Sequence, residues 1–149
     1  MTKLLSEIKK EEIIFVDGDM NGHVGIETDG FEGIHDGNGY GKRNKEGEML
    51  LEFATAMELV VCNTFFTKRD TKKITYASGE GESMTTSEID YFLVRKKDSS
   101  SVKDGTVING EECLKQHKLL ICKIELSEVL PKLKRQQARD RSKGNVNQM

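Results

Sequence analysis

Apolar residues fall in short runs separated by long polar stretches. The run Ile13-Ile14-Phe15-Val16 is β-branched and aromatic and predicts a strand. Ahead of it, Met1 to Glu12 is a polar lead with a brief amphipathic piece at Leu4, Leu5 and Ile8. From Gly18 to Gly47 the chain carries eight further glycines and few apolar residues, which predicts a long, turn-rich loop. "EGEMLLEFATAMEL" then places Met49, Leu50, Phe53, Ala54 and Met57 on one helical face. "LVVCNTFF", "KKITYAS", "EIDYFLV", "GTVI" and "LLICKIEL" read as further strands, and "GEGESMTT" as a turn cluster. Strands linked by one clear helix predict an α/β class, with a mixed, mostly antiparallel sheet and one main helix. Such a set makes an open half-sandwich whose inner sheet face needs a cover.

Length and composition narrow this picture. At 149 residues the chain reads as one domain over residues 13–126, with a lead at 1–12 and a basic tail at 127–149 for which composition predicts no fixed structure. No apolar run has the length of a membrane span, and the first residues lack a signal-peptide core. The three cysteines, Cys62, Cys113 and Cys122, are far apart and form no CxxC. That argues for reduced thiols and an intracellular, nuclear or cytoplasmic, setting. Cys62 and Cys122 lie in apolar runs and read as buried structural residues. From Pro131 onward there are six Lys or Arg against one Asp, so the remaining chain carries 17 positive against 24 negative side chains. An acidic body with a basic tail raises the question of nucleic acid, although a solvated terminus explains the same asymmetry.

Three clusters carry candidate chemistry. In "FVDGDMNGHVG" a strand runs straight into Asp17, Asp19 and Asn21. Residues i and i+2 share a strand face, so these side chains line one side of a strand end, where a carboxylate can meet a hard cation or take a proton from water. Asp, Gly and Asn are also ordinary turn formers, and "DGDMNG" reads equally well as a strand-ending turn. Asp90 interrupts the run of Ile89, Tyr91, Phe92, Leu93 and Val94; it is either partly buried with a partner or, together with Glu88, on a strand edge facing water. His117 stands at the start of an apolar strand. A His in that position is commonly structural, but beside a buried Asp it acquires a fixed tautomer. His23, His35 and the cysteines fit no zinc-ligand spacing.

The order Asp-x-Asn, then Ile-Asp-Tyr, then His before an apolar strand is more specific than any one cluster. With "VDGDMNGHVG", "GYGKRNKEGEMLLEFA", "LVVCNTFFTKRDTKKITYASG", "SEIDYFLVRKKD" and "VINGEECLKQHKLLICKIEL", the chain resembles the endonuclease/exonuclease/phosphatase superfamily from Ile13 to Leu126. Within it the likeness is to the retrotransposon-type apurinic-endonuclease branch and its craniofacial development protein 2-like group. The resemblance implies the C-terminal half of a four-layer αββα, DNase I-like sandwich that cuts phosphodiesters with Mg²⁺ or Mn²⁺. It implies that Asp19 activates water and Asn21 steadies the phosphate, both at the metal. It implies that Asp90 pairs with His117, which holds or protonates the phosphate, and that Tyr76, Asn63 and Arg43 lie near substrate.

Two departures accompany it. Lys115-Gln116-His117 stands where the family has Ser-Asp-His. The family's metal-ligating Glu belongs to the first half of the fold, and Glu7, Glu11 and Glu12 are in the wrong context for it. The expectation is therefore an endonuclease-like site that a partner or a second copy completes, with a non-catalytic, retrotransposon-derived binding module as the alternative. DNA or another nucleic acid is the expected partner, and no membrane. Tyr40, Arg43 and Asn44 read as the approach to the helix or simply its cap. Lys68, Arg69, Lys72 and Lys73 form a basic turn that could meet phosphates but reads more simply as solvated. Lys132, Lys134, Arg135, Arg139, Arg141 and Lys143 would add salt-sensitive nucleic-acid affinity.

Overall fold

The computed structural model describes residues 1–112, 116–125, 134–135 and 137–142. Cys113, Lys115, Lys132, Lys143 and the boundary near Leu126 lie outside the described residues. The elements are α1 (Thr2–Glu7), β1 (Phe15–Asp19), α2 (Lys45–Ala56), β2 (Leu59–Val61), β3 (Tyr76–Ser78), β4 (Thr85–Ser87), β5 (Asp90–Arg95), β6 (Val102–Glu112) and β7 (Lys118–Ile124), with short 3-10 turns between them. The class is α/β, as the pattern predicts.

The strands form three antiparallel sets: β1-β5-β2, β3-β4 and β6-β7. β5 is central, with β1 on one edge and β2 on the other. Tyr91 and Leu93 of β5 are fully buried and join Leu51, Ala54 and Leu59 in the core. Alternation puts Asp90, Phe92 and Val94 on the opposite face, and the register adds Phe15, Asp17 and Asp19 from β1. Phe15 remains 37% exposed, its ring 5.7 Å from that of Phe92. β1 begins at Phe15, two residues later than the apolar run suggests, and extends through the polar Asp17-Gly18-Asp19 because β5 supplies a pairing edge for them. "LVVCNTFF" is strand only as far as Val61; Cys62–Phe65 turns as a 3-10 helix.

Helix α2 starts at Asn44, whose Oδ1 accepts from Gly47 N at 2.8 Å, and Glu46 and Glu48 suit the positive end of its dipole. Its buried stripe is Gly47, Leu50, Leu51 and Ala54. The expected face is rotated: Met49 is 58% exposed, while Phe53 and Met57 flank the stripe. The cause is at the N-terminus, where the helix lies directly against the backbone of Gly22 to Val24. A Cβ on Gly47 would stand 1.7 Å from the His23 carbonyl oxygen, and one on Gly22 2.8 Å from Glu46.

The glycine-rich loop is turn-rich, as expected, and its own side chains hold it down. His35, 1% exposed, donates from Nε2 to Gly25 O at 2.8 Å and accepts at Nδ1 from Gly37 N at 3.1 Å. Burial, helped by the Arg43 charge, holds its pKa below the usual imidazole value. In the tail, residues 134–135 and 137–142 are helical and exposed, a local order that composition did not predict but that Lys, Arg, Gln and Ala, as good helix formers, support.

Gly47→Ala isolates the close approach. Ala favours helix over Gly by about 1 kcal/mol, yet the added methyl collides with backbone, so the variant is expected to lose about 1–3 kcal/mol net by overpacking. A urea midpoint above wild type would show that the helix and the His23 segment are not packed this way.

Candidate active site

Two paired strand ends and one strand start bring the expected residues together. Asp19 ends β1, Asp90 begins β5, and the two are register partners. Just beyond, Met20 N donates to Ile89 O at 2.8 Å. Asn21 follows in the left-handed region at φ 49°, its backbone N–H donating to Asp19 Oδ1 at 2.8 Å. "DGDMN" therefore ends the strand in a turn, and that turn fixes the Asp19 carboxylate.

His117 reaches these carboxylates because residues 116–118 bridge to β3. Ala77 N donates to Gln116 O at 2.9 Å and Lys118 N to Thr75 O at 2.7 Å. His117 Nδ1 lies 3.0 Å from Asp90 Oδ2, and Nε2 lies 3.8 Å from Asp19 Oδ2. The imidazole thus sits between two carboxylates. Asp90 faces Nδ1 closely, which places the Nδ1–H tautomer there and leaves Nε2 toward Asp19. The Tyr76 ring meets the His117 ring edge-on at 5.1 Å, and its hydroxyl donates to Gln116 Oε1 at 3.1 Å. Side-chain exposures of 44% for Asp19, 21% for His117 and 18% for Asp90 describe a shallow surface site, with Asp19 outermost.

Asn63 is buried beneath this surface. β2 stops pairing with β5 at Val61–Leu93, and the Asn63 side chain continues where the strand ends. Its Nδ2 donates to Asp90 O at 3.0 Å and its Oδ1 accepts from Phe92 N at 2.9 Å, as a neighbouring backbone would. The same Nδ2 donates to Glu88 Oε1 at 3.2 Å. Arg43 is not brought to the cluster. Its guanidinium donates to the carbonyls of Val24, Glu27 and Asp29, and its charge lies 4.8 Å above the Phe31 ring. The family resemblance placed it near substrate; here the loop carbonyls take its guanidinium instead.

Thr75 is not singled out in the sequence, and Glu88 reads there only as a residue that faces water beside Asp90 on an edge strand. Thr75 is fully buried; its Oγ1 accepts from Ile89 N at 3.0 Å and Asp90 N at 3.1 Å. With its carbonyl bonded to Lys118 N, Thr75 ties the Asp90 strand to the His117 strand. Glu88 is 2% exposed, and its Oε2 has no hydrogen-bond partner among the described residues. Burial pushes its carboxyl up to about 7, against the pull of Asn63, the Tyr40 N–H and Lys73. Alternation alone would set Glu88 on the Asp90 face, toward water; the chain just before β5 leaves that alternation and buries it. Tyr91, also buried, donates to Glu88 O at 2.6 Å and accepts from Val24 N at 3.2 Å, and burial raises its pKa.

Among the described residues no three His, Cys, Asp or Glu side chains converge as a set that could hold a metal. Asp19 and Asn21 offer hard oxygen donors, but they do not by themselves make a cage for Mg²⁺ or Mn²⁺. Burial drives the thiol pKa of Cys62 up to about 12 and that of Cys122 up to about 11, the latter aided by Asp104 and Asp17, so both stay protonated and packed. In the basic turn, Lys68 pairs with Asp104 at 2.5 Å and Lys73 donates to Gly39 O at 3.4 Å, so half of its charge is used internally. A cleft of about 800 Å³ lies at the other end of β5, lined by Leu5, Phe31, Ile34, Met57 and Arg95, away from the cluster.

Thr75→Val leaves two buried N–H groups without an acceptor and is expected to cost about 1–3 kcal/mol in urea unfolding; an unchanged midpoint would remove Thr75 from its linking role. Glu88 gives a pH signature. The unfolded carboxyl ionises from about 4.5 upward while the folded one keeps its proton to about 7, so stability falls across that window. Glu88→Gln is expected to gain up to about 3 kcal/mol above pH 7 and nothing at pH 4. An equal shift at both pH values would mean that Glu88 ionises normally.

Comparison with known proteins adds one likeness. No family model matches the chain, and no solved structure does. The chain is 34% identical over 133 residues to craniofacial development protein 2 of Bos taurus, and 33% identical over the same length to that of Tragulus javanicus. Each alignment takes in 89% of this chain and 22% of the relative, so the chain spans about a fifth of the length of the curated relatives it matches. Over most of its own length, then, the chain is a relative of one segment of craniofacial development protein 2.

Proposed function

We propose that this chain carries the acid–base and phosphate-holding part of a metal-dependent, DNase I-like phosphodiesterase that acts on nucleic acid. The observation that supports it best is the line Asp90–His117–Asp19, with His117 Nδ1 at 3.0 Å from one carboxylate and Nε2 at 3.8 Å from the other. A gap of 3.8 Å is longer than a direct hydrogen bond, so Nε2 and the outer carboxylate can both turn to a group inserted between them.

The chemistry follows from the side chains. Asp19 takes a proton from the attacking water as the water oxygen bonds to phosphorus and the P–O bond to the departing sugar oxygen breaks. The His117 imidazole, protonated on both nitrogens for this step, donates its Nε2–H to the phosphoryl oxygen as negative charge grows there and gives that proton up to the leaving oxygen. Asp90 keeps the imidazole aligned throughout. Asn21, exposed beside Asp19, offers amide donors to the same phosphate. The openness of the site suits a polymer backbone crossing the surface better than an enclosed small molecule. Mg²⁺ or Mn²⁺ enters as the variable of the test, since the described residues alone do not cage it.

The assay is cleavage of supercoiled plasmid and of an abasic-site duplex, with Mg²⁺, with Mn²⁺ and with chelator, recording oligomeric state on the same samples. Cutting is expected to require the cation and to fall at least about 100-fold in both His117→Ala and Asp19→Ala. Activity confined to dimer fractions would identify a second copy as the completing partner. A folded protein that cuts nothing overturns the enzyme reading. If it still retains duplex in a salt-sensitive manner, the chain is a binding module, a reading favoured by the exposed, basic helical residues 134–135 and 137–142 and by the incomplete ligand set among the described residues.

A further inference from the structure

Glu88 poses a problem that the phosphodiesterase reading leaves open. A carboxyl group at 2% exposure, with one oxygen unpartnered among the described residues, costs stability wherever it ionises. It lies two residues before Asp90, yet among the described residues its side-chain hydrogen bond goes to Asn63 and not to His117 or Asp19. A neutral or apolar residue would bury there at less cost, so its contacts show what it provides.

Those contacts converge on Asn63. The Asn63 amide has two N–H bonds to give. One goes to Asp90 O at 3.0 Å and the other to Glu88 Oε1 at 3.2 Å, while the amide oxygen accepts from Phe92 N at 2.9 Å. This side chain is what holds the β2 edge of β5 at Asp90, because the backbone of β2 has turned away by Cys62. Without an acceptor at Glu88 the amide keeps two bonds, both to β5, and is free to pivot about them. With it, the amide is held at three points in one plane, and Asp90 is fixed from below. On the opposite edge Asp90 is fixed by its pairing with Asp19.

We propose that Glu88 is a positioning residue for the Asp90–His117 pair and acts through Asn63. Its side-chain oxygen locks the Asn63 amide, the amide locks the Asp90 backbone, and the Asp90 carboxylate is thereby held at hydrogen-bond distance from His117 Nδ1. The groups facing Glu88 are the Asn63 amide, the Tyr40 backbone N–H, the Tyr91 hydroxyl on its carbonyl, and the Lys73 charge. Of these, only Asn63 bonds to Asp90. The consequence for cleavage rests on the phosphodiesterase reading; the effect on the pair does not.

The test compares Glu88→Gln, which keeps an oxygen acceptor, with Glu88→Leu, which has similar volume and none. The readout is the ¹H–¹⁵N spectrum of the ¹⁵N-labelled His117 ring at one fixed pH, with folding checked by far-UV circular dichroism and urea unfolding. The Nδ1–H signal, protected by Asp90 in wild type, is expected to persist in Glu88→Gln and to vanish by solvent exchange in Glu88→Leu. If Glu88→Leu does not fold, Glu88→Met replaces it, since its flexible chain fits irregular space. Retention of the signal in both folded variants, or its loss in both, overturns the proposal. Where wild type cleaves, Glu88→Leu is also expected to lower kcat about tenfold or more at unchanged KM, because misalignment acts on the chemical step. A wild type that does not cleave defeats the phosphodiesterase reading while leaving the ring spectrum to decide the role of Glu88.

Discussion

The pairing of β1 with β5 sets everything else at this site. Asp19 opposite Asp90 is the last pair of that ladder. Side chains alternate along a strand, so a slip of one residue would send Asp90 and Phe92 into the core and bring Tyr91 and Leu93 to the surface. Tyr91 and Leu93 are fully buried, and that burial enforces the register. The hydrophobic core on one face therefore specifies which carboxylates meet on the other.

Hydrogen bonds from buried polar side chains do the rest. Thr75 caps two N–H groups at the start of β5, Asn63 replaces the missing edge of β2, and the Tyr91 hydroxyl joins Val24 to Glu88. His35 and Arg43 serve the glycine-rich loop in the same way, donating to carbonyls that no strand or helix satisfies. Each bond contributes modestly when made but is costly to lose in a dry interior, so the network specifies geometry more than it adds stability. The expense is concentrated at Glu88, whose burial is unfavourable in its charged form.

Much of this was legible along the chain. β-branched runs marked every strand except β4, whose Thr85 and Thr86 lie in the segment read as a turn cluster, and the three-four spacing marked α2. The Asp-x-Asn, Ile-Asp-Tyr and His motifs named the residues that the fold brings together, because motifs carry the chemistry that a site requires. The misses share a cause. Met49 was placed inside and Leu51 overlooked because periodicity gives the width of an apolar stripe but not its angle, which the contact of Gly47 with His23 sets. Arg43 was assigned to substrate by resemblance, and a sequence does not reveal which carbonyls lack donors. Thr75 passed unnoticed and Glu88 was set facing water because the partners of their side chains are 14 or more residues distant.

The sequence by itself determined the α/β class, the order of the elements and the four polar residues at the strand ends, since local propensity and side-chain alternation are properties of neighbouring residues. Only the tertiary structure decided that His117 stands between Asp90 and Asp19, that Asn63 braces from beneath, and that Arg43 faces elsewhere. Those outcomes depend on which strand edges remain unpaired after the core has packed, and no stretch of chain contains that information alone.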